Sequence, residues 1–380
     1  MPAEVYLDNA STSFPKPESV YQAAEKFMRY GGASPGRGSY PKAQESERIL
    51  IKLRSKLSQL LGVRDPANLI FTTHATDALN LALKGYLKEG DHVVTTDLEH
   101  NAVLRPLTHL RTTRNIGLTI VKSNSQGKVD PDDIKKAVTP KTRLVACVHA
   151  SNVLGTIQPI QEISRTARAL GIPLLVDGSQ TAGAIPINVE ELGADLFAFT
   201  GHKSLLGLTG TGGLFVRSDL DLQPLREGGN GSHSNSLEQP TERPERYESG
   251  TPNMIGLVGL LAGIEYLLET GIDKIRTHEL ELNRALMNRL ADISGVKIYG
   301  PEAQLKTAIT SFTLGSLDPA EVGQMLGKKF GVCVRTGIHC APLTPQSTIR
   351  LSLGWANTRE DIDKACQAVS EIATAIYRRA

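Results

Sequence analysis

Cysteine is scarce in this chain. Cys147, Cys333, Cys340 and Cys366 are the only four in 380 residues. No two form a C-x-x-C pair, and no His/Cys cluster has zinc spacing, so no metal is expected. Such usage fits a reducing cytosol. An excess of one charge is also lacking: 42 basic residues face 40 acidic ones, for a formal net charge of +2. Binding to nucleic acid or an anionic membrane takes clustered Lys and Arg, so neither partner is expected. Long apolar runs are missing too. The longest, Met254 to Ile264, has 11 residues, against the ~18–20 that span a bilayer. A buried helix is the better reading. The first residues include Asp8, Lys16 and Glu18 and no apolar signal core, so a cytoplasmic protein is expected.

What remains is an ordinary globular composition, 40% hydrophobic and 22% charged. The length suits one large α/β domain plus a smaller one. Short apolar runs at 69–72, 92–95, 118–121, 144–148, 173–177, 196–199 and 214–216 alternate with helical patterns such as 76–88, 101–113 and 160–170. That alternation predicts a mostly parallel sheet covered on both faces. Ligands of such sheets sit beyond the carboxyl ends of the strands. Residues 224–250 are rich in Gly, Ser, Glu, Arg and Pro and predict a long surface loop. Beyond about 270, the chain predicts a smaller unit. It has a long helix around 272–293, strands near 296–299 and 308–314, a helix opened by Asp318-Pro319-Ala320-Glu321, and a last helix from Thr358.

The chemistry gathers at strand ends. The run Leu174-Leu175-Val176 ends in Asp177-Gly178-Ser179-Gln180. Lys203 follows 26 residues later, in Thr200-Gly201-His202-Lys203-Ser204. A carboxylate closing a buried strand, then a lysine in a small polar turn, is the arrangement needed to hold pyridoxal phosphate (PLP). The lysine forms a Schiff base with the aldehyde, and the carboxylate keeps the pyridinium nitrogen protonated. The glycine-rich stretch 207–213 does not sit between a strand and a helix at the start of a βαβ unit, so it is no dinucleotide fingerprint. No phosphate-loop pattern surrounds Lys203 either. The segment Thr72-Thr73-His74-Ala75-Thr76-Asp77 opens a helix whose N–H groups suit a phosphate, or that Thr76 simply caps. His100 follows a strand. It is either a satisfied surface histidine or an imidazole stacked on the pyridine ring as acid or base. Cys340, in Arg335-Thr336-Gly337-Ile338-His339-Cys340-Ala341-Pro342, is either a packing residue or an activated nucleophile in an electropositive loop. Arg350 makes either a surface ion pair or a bidentate clamp on a carboxylate.

Together these segments resemble the class V, fold-type I PLP enzymes, and among them the cysteine desulfurase and selenocysteine lyase family. The resemblance rests on Tyr6-Leu7-Asp8-Asn9-Ala10, Thr76, Glu99-His100, Ser151 to Gly155, Asp177 to Gln180, Thr200 to Lys203, Glu248 to Asn253 and Arg335 to Ala341. It runs nearly end to end. It implies a large PLP-binding domain at 21–265 with a mostly parallel seven-stranded sheet. A small α+β domain at 266–380 would follow, with residues 1–20 joining the small domain or the site. Lys203 would carry the Schiff base and move the Cα proton. Asp177 would hold the pyridinium nitrogen, Gln180 the ring hydroxyl, and His100 would stack on the ring. Thr76, Thr200 and His202 would bind the phosphate, with Thr251 added from the other subunit of a homodimer, and Ala75 and Asn152 would also touch the cofactor. Asn9, Asn152, Arg335 and Arg350 would bind the substrate, and Cys340 would take its sulfur as a persulfide. The implied reaction turns L-cysteine into L-alanine and feeds a sulfur-acceptor protein. A selenocysteine lyase or other C–S lyase on the same scaffold is the alternative, ahead of an aminotransferase or a non-catalytic scaffold.

Overall fold

A computed structural model describes residues 4–36, 38–231, 235–344 and 346–377. The central sheet has seven strands, in the spatial order Leu69–Thr72, Gly212–Val216, Leu196–Thr200, Leu174–Asp177, Thr142–Val148, His92–Thr96 and Gly117–Val121. All pairings are parallel except those of Gly212–Val216, which runs against both its neighbours. Alternate residues of one strand go to opposite cores. Leu174 and Val176 join one apolar cluster, and Leu175 joins the other. Both faces are covered, so the strands read as unbroken apolar runs.

Helix Met254–Thr270 explains the longest apolar run. It packs against helices Glu18–Tyr30 and Pro41–Leu61, and eleven of its residues are buried. No single helix among the described residues is long and apolar enough to cross a membrane. Residues 232–234 of the long loop lie outside the described residues. Its far end is tied down by Glu248, which pairs with Arg54 and accepts from Phe71 N.

A four-stranded antiparallel sheet follows, in the order Arg335–Gly337, Thr348–Ser352, Ile309–Leu314, Val296–Tyr299. Helices Ile272–Ala291, Pro319–Phe330 and Arg359–Tyr377 enclose it around a third core that includes Leu286, Phe312, Leu326, Leu351 and Val369. Asp318 caps Pro319–Phe330 through Ala320 N at 2.9 Å. The N-terminal segment is stitched to this unit. Val5–Tyr6 pairs in parallel with Val332–Cys333, and Asp8 bridges to Ser352. The chain then crosses to the large sheet through Ser11–Lys16, past the turn that bears Lys203.

Candidate active site

Asp177 is the last residue of its strand, paired in register with Val148 and Ala198. Its Oδ1 accepts from Ser179 N at 2.9 Å and from the Ser179 hydroxyl. The next residue has to be glycine: a Cβ on Gly178 would lie 2.1 Å from Phe197 Cζ. Thr200 ends the neighbouring strand, and the turn Gly201–Lys203 carries the lysine. The N-terminal segment pins that turn. Ser13 Oγ donates to Lys203 O at 2.9 Å, Ser13 N to His202 O at 3.0 Å, and Lys16 Nζ to His202 O at 2.7 Å.

These strand ends meet the small sheet around a cavity of about 220 Å³. Ala75, Thr76, His100, Asn152, Asp177, Gln180, Thr200, His202, Lys203, Arg335 and Arg350 all line it. His74, Ser11, Ser179 and His339 line it as well, and none of these four was among the expected ligands.

Three expected residues are not on that wall. Asn9 is turned away. Its Nδ2 donates to Ser352 O and Asn357 Oδ1, its Oδ1 accepts from Phe14 N, and it borders a separate small cavity. Both Nδ2 protons of Asn9 are thus spent holding the N-terminal segment to the small sheet, and Oδ1 keeps one acceptor position beside Phe14 N. Thr251 is exposed at the end of the long loop. Cys340 stands behind Arg335, whose Nη2 donates to its Sγ at 3.6 Å. His339 and Cys340 both have left-handed backbones, φ 51 and 61. Two such residues in a row are costly. The bend is held by Asn101 N donating to Cys340 O at 2.8 Å and Asn152 Nδ2 to His339 O at 2.6 Å.

Two expectations need correction. Helix Ala75–Tyr86 is capped by His74, whose Nδ1 accepts from Asp77 N at 3.1 Å, and not by Thr76. The ring nitrogen one position before the helix reaches the free N–H that Thr76, already inside the first turn, cannot. Arg350 makes no surface ion pair; it is among the largest fully buried side chains. Its Nη1 donates to Asn152 O at 2.9 Å, and its Nη2 to Asp8 Oδ1 and Ser11 Oγ at 2.8 Å each.

Burial sets the charge states. It lowers the Lys203 ammonium to about 8, against the opposing pull of Asp177. It lowers His202 to about 4, helped by the charges of Lys203 and Lys16, so that imidazole is neutral. His100 is also lowered by burial, with Asp177 pulling the other way. Its Nδ1 accepts from Ala102 N at 3.0 Å, which leaves the proton of the neutral ring on Nε2. His339 falls to about 3 through burial and the two arginines. Several buried atoms have no hydrogen-bond partner among the described residues: His202 Nδ1, Asn152 Oδ1, His339 Nδ1 and Arg350 Nε. Unpartnered buried polar atoms are costly, and their gathering around one cavity points to a polar ligand.

The Aminotransferase class-V family profile matches residues 5–365. The chain belongs to the class-V aminotransferase family. A probable cysteine desulfurase of Methanothermobacter thermautotrophicus is 35% identical over 97% of this chain and 94% of its own. A cysteine desulfurase of Yersinia pseudotuberculosis is 33% identical over 97% and 93%. Among solved structures, the apo cysteine desulfurase of Thermococcus onnurineus superposes with a TM-score of 0.92 at 30% identity, covering 98% of this chain and 95% of that one. The S-sulfonic acid form of an Escherichia coli cysteine desulfurase gives 0.89 at 28% identity, covering 98% and 95%.

Class-V aminotransferases are PLP enzymes, and the residues of this member fit that group. An amine and a carboxylate face the same cavity. Ala75 and Thr76 at the N-terminus of helix Ala75–Tyr86 line that cavity together with His202, whose Nδ1 has no partner among the described residues, and a phosphate requires such donors.

Besides the lining residues His74, Ser11, Ser179 and His339, local sequence patterns miss Asp8, which reaches the site through Arg350. Asp8 and Arg350 are separated by 342 positions, and no short-range signal pairs them.

Proposed function

We propose that the protein is a PLP-dependent cysteine desulfurase that converts L-cysteine to L-alanine and stores the sulfur on Cys340. PLP, once bound, supplies an electron sink that labilises bonds at the substrate α-carbon. Lys203 would hold it by its amine, Asp177 at the ring nitrogen and Gln180 at the ring hydroxyl. Ala75, Thr76, Thr200 and His202 would hold the phosphate. His100, neutral and confined, would stack on the ring. Asn152 and Arg350 would orient the substrate carboxylate. Lys203 Nζ, with its ammonium near 8, is suited to take the Cα proton and return it. The Cys340 thiolate would attack the substrate sulfur. The new S–S bond forms as the Cβ–S bond breaks, and the electron pair leaves with the carbon that becomes the alanine methyl.

The observation that carries this reading is one shared cavity. Lys203, Asp177, Asn152 and Arg350 share it with Arg335, and Arg335 holds the Cys340 sulfur. Transamination has no use for that thiol. The other assignments stand on the family likeness: a homodimer in which Thr251 completes the neighbour's phosphate site, a sulfur-acceptor protein and a cytoplasmic setting. So does the division into a large domain at 21–265 and a small one at 266–380.

The test is mass spectrometry of the holoenzyme after L-cysteine, with alanine and pyruvate assayed. One added sulfur on the Cys340 peptide is expected, with alanine as product. Cys340→Ala should lose both and keep the cofactor absorbance. Sulfur on Cys147, Cys333 or Cys366, or pyruvate as the product, would refute the assignment. Alanine from L-selenocysteine but not L-cysteine would make it a selenocysteine lyase.

A further inference from the structure

Arg350 already holds a carboxylate. A guanidinium has five N–H donors. Both on Nη2 are committed, to Asp8 Oδ1 and Ser11 Oγ, and one on Nη1 goes to Asn152 O. The buried Nε has no partner among the described residues. A carboxylate gripping Arg side-on needs Nε and Nη2 together. An incoming carboxylate therefore finds Nε free and Nη2 taken.

We propose that Asp8 limits the affinity for the substrate carboxylate: it occupies Arg350 Nη2 in the free enzyme and yields it to the incoming amino acid. The inference rests on the reading of Arg350 as the carboxylate anchor. Asp8 is the partner able to move. Its side chain is 21% exposed, against 2% for Arg350. Ser11 is fixed from three sides, since its hydroxyl also donates to Asp8 Oδ1 and accepts from Arg335 Nη1 at 2.8 Å. Two carboxylates on one guanidinium repel, so Asp8 swings toward solvent as the substrate binds. Its charge balances Arg350 while the site is empty, and it weakens the hold on every carboxylate that enters.

Calorimetric titration of the holoenzyme separates this role from a structural one. L-alanine carries the carboxylate, and ethylamine is the same amine without it. In Asp8→Asn the Oδ1 acceptor for Nη2 is kept and the charge is lost. The dissociation constant for L-alanine should fall about three- to tenfold, the scale of one charge-assisted hydrogen bond over a neutral one. That for ethylamine should not move. Ser11→Ala is the second variant, and carries the test alone if Asp8→Asn fails to fold. It frees an Nη2 donor, loosens Asp8, and should shift L-alanine in the same direction by less. An unchanged or raised constant for L-alanine, or equal shifts for both ligands, overturns the proposal. Arg350→Gln keeps the two failures distinct: L-alanine binding unaffected by it would remove the anchor reading itself.

Discussion

Glu99 shows how one buried group can be useful uncharged. It precedes His100, is fully buried, and accepts at Oε1 from Thr96 Oγ1 (2.7 Å) and Val148 N (2.9 Å). Oε2 has no partner. Burial raises the carboxyl to about 8, with Asp177 adding to the rise, so it carries a proton at neutral pH. A neutral acid here leaves Asp177 as the anion nearest the ring site. A folded pKa above the unfolded one means stability that is fully present below about 4.5 and is lost as pH climbs to about 8. Glu99→Gln keeps the Oε1 acceptor and cannot ionise. It should retain the cofactor and unfold at a higher temperature than wild type at pH 8, with the two converging at pH 4.5. Glu99→Ala should be destabilised by roughly 1–3 kcal/mol, because Thr96 and Val148 N lose their acceptor. Thermal melts across that pH range decide it. A Gln variant less stable than wild type at pH 8 would show that Glu99 works as an anion.

At the scale of elements, the sheet was legible because its inner strands, such as Leu174–Asp177, Leu196–Thr200 and Gly212–Val216, are buried on both faces and read as apolar runs. The placement of Asp177 and Thr200 at strand ends followed from the same runs. What escaped were contacts set by the meeting of distant elements. The His74 cap depends on a ring reaching back into a turn. Asn9 is committed to Ser352 and Asn357 by the N-terminal segment lying on the small sheet. Gly178 is a related case, since its constraint comes from the next strand. Phe197 fills the space a Cβ would need and is itself fully buried. Gly178→Ala must therefore push the turn, and Asp177 and Gln180 with it. Overpacking of this kind costs about 1–3 kcal/mol. PLP should bind at least about tenfold more weakly, a loss of about 1.4 kcal/mol at the site. Reconstitution of the apoprotein monitored by cofactor absorbance measures it. Unaltered affinity would mean that the turn yields without moving Asp177.

At the scale of the whole molecule, the large and small sheets join at a seam containing an unpaired charge. Lys306 is fully buried where Thr156 bridges to it, between Ile157 N donating to Leu305 O (3.1 Å) and Thr307 N donating to Gly155 O (3.0 Å). The packing is close. A Cβ on Gly155, at φ 74, would lie 3.1 Å from Lys306 Cε. Nζ has no hydrogen-bond partner among the described residues. Burial lowers the ammonium to about 8 from 10.5. A depressed lysine works against folding while both states are protonated, below about 8. As pH rises from there toward 10.5 the unfolded chain holds the extra proton, and the penalty is relieved. At pH 7 it amounts to about 3 kcal/mol. Lys306→Met keeps the aliphatic stem and removes the charge. It should be more stable than wild type by up to about that amount at pH 7, and the gain should shrink to nothing near pH 10.5. Denaturant titrations at several pH values give the two curves directly. A gap that widens with pH, or a variant destabilised at pH 7, would mean that the ammonium is held by the seam and stabilises the junction of the two sheets.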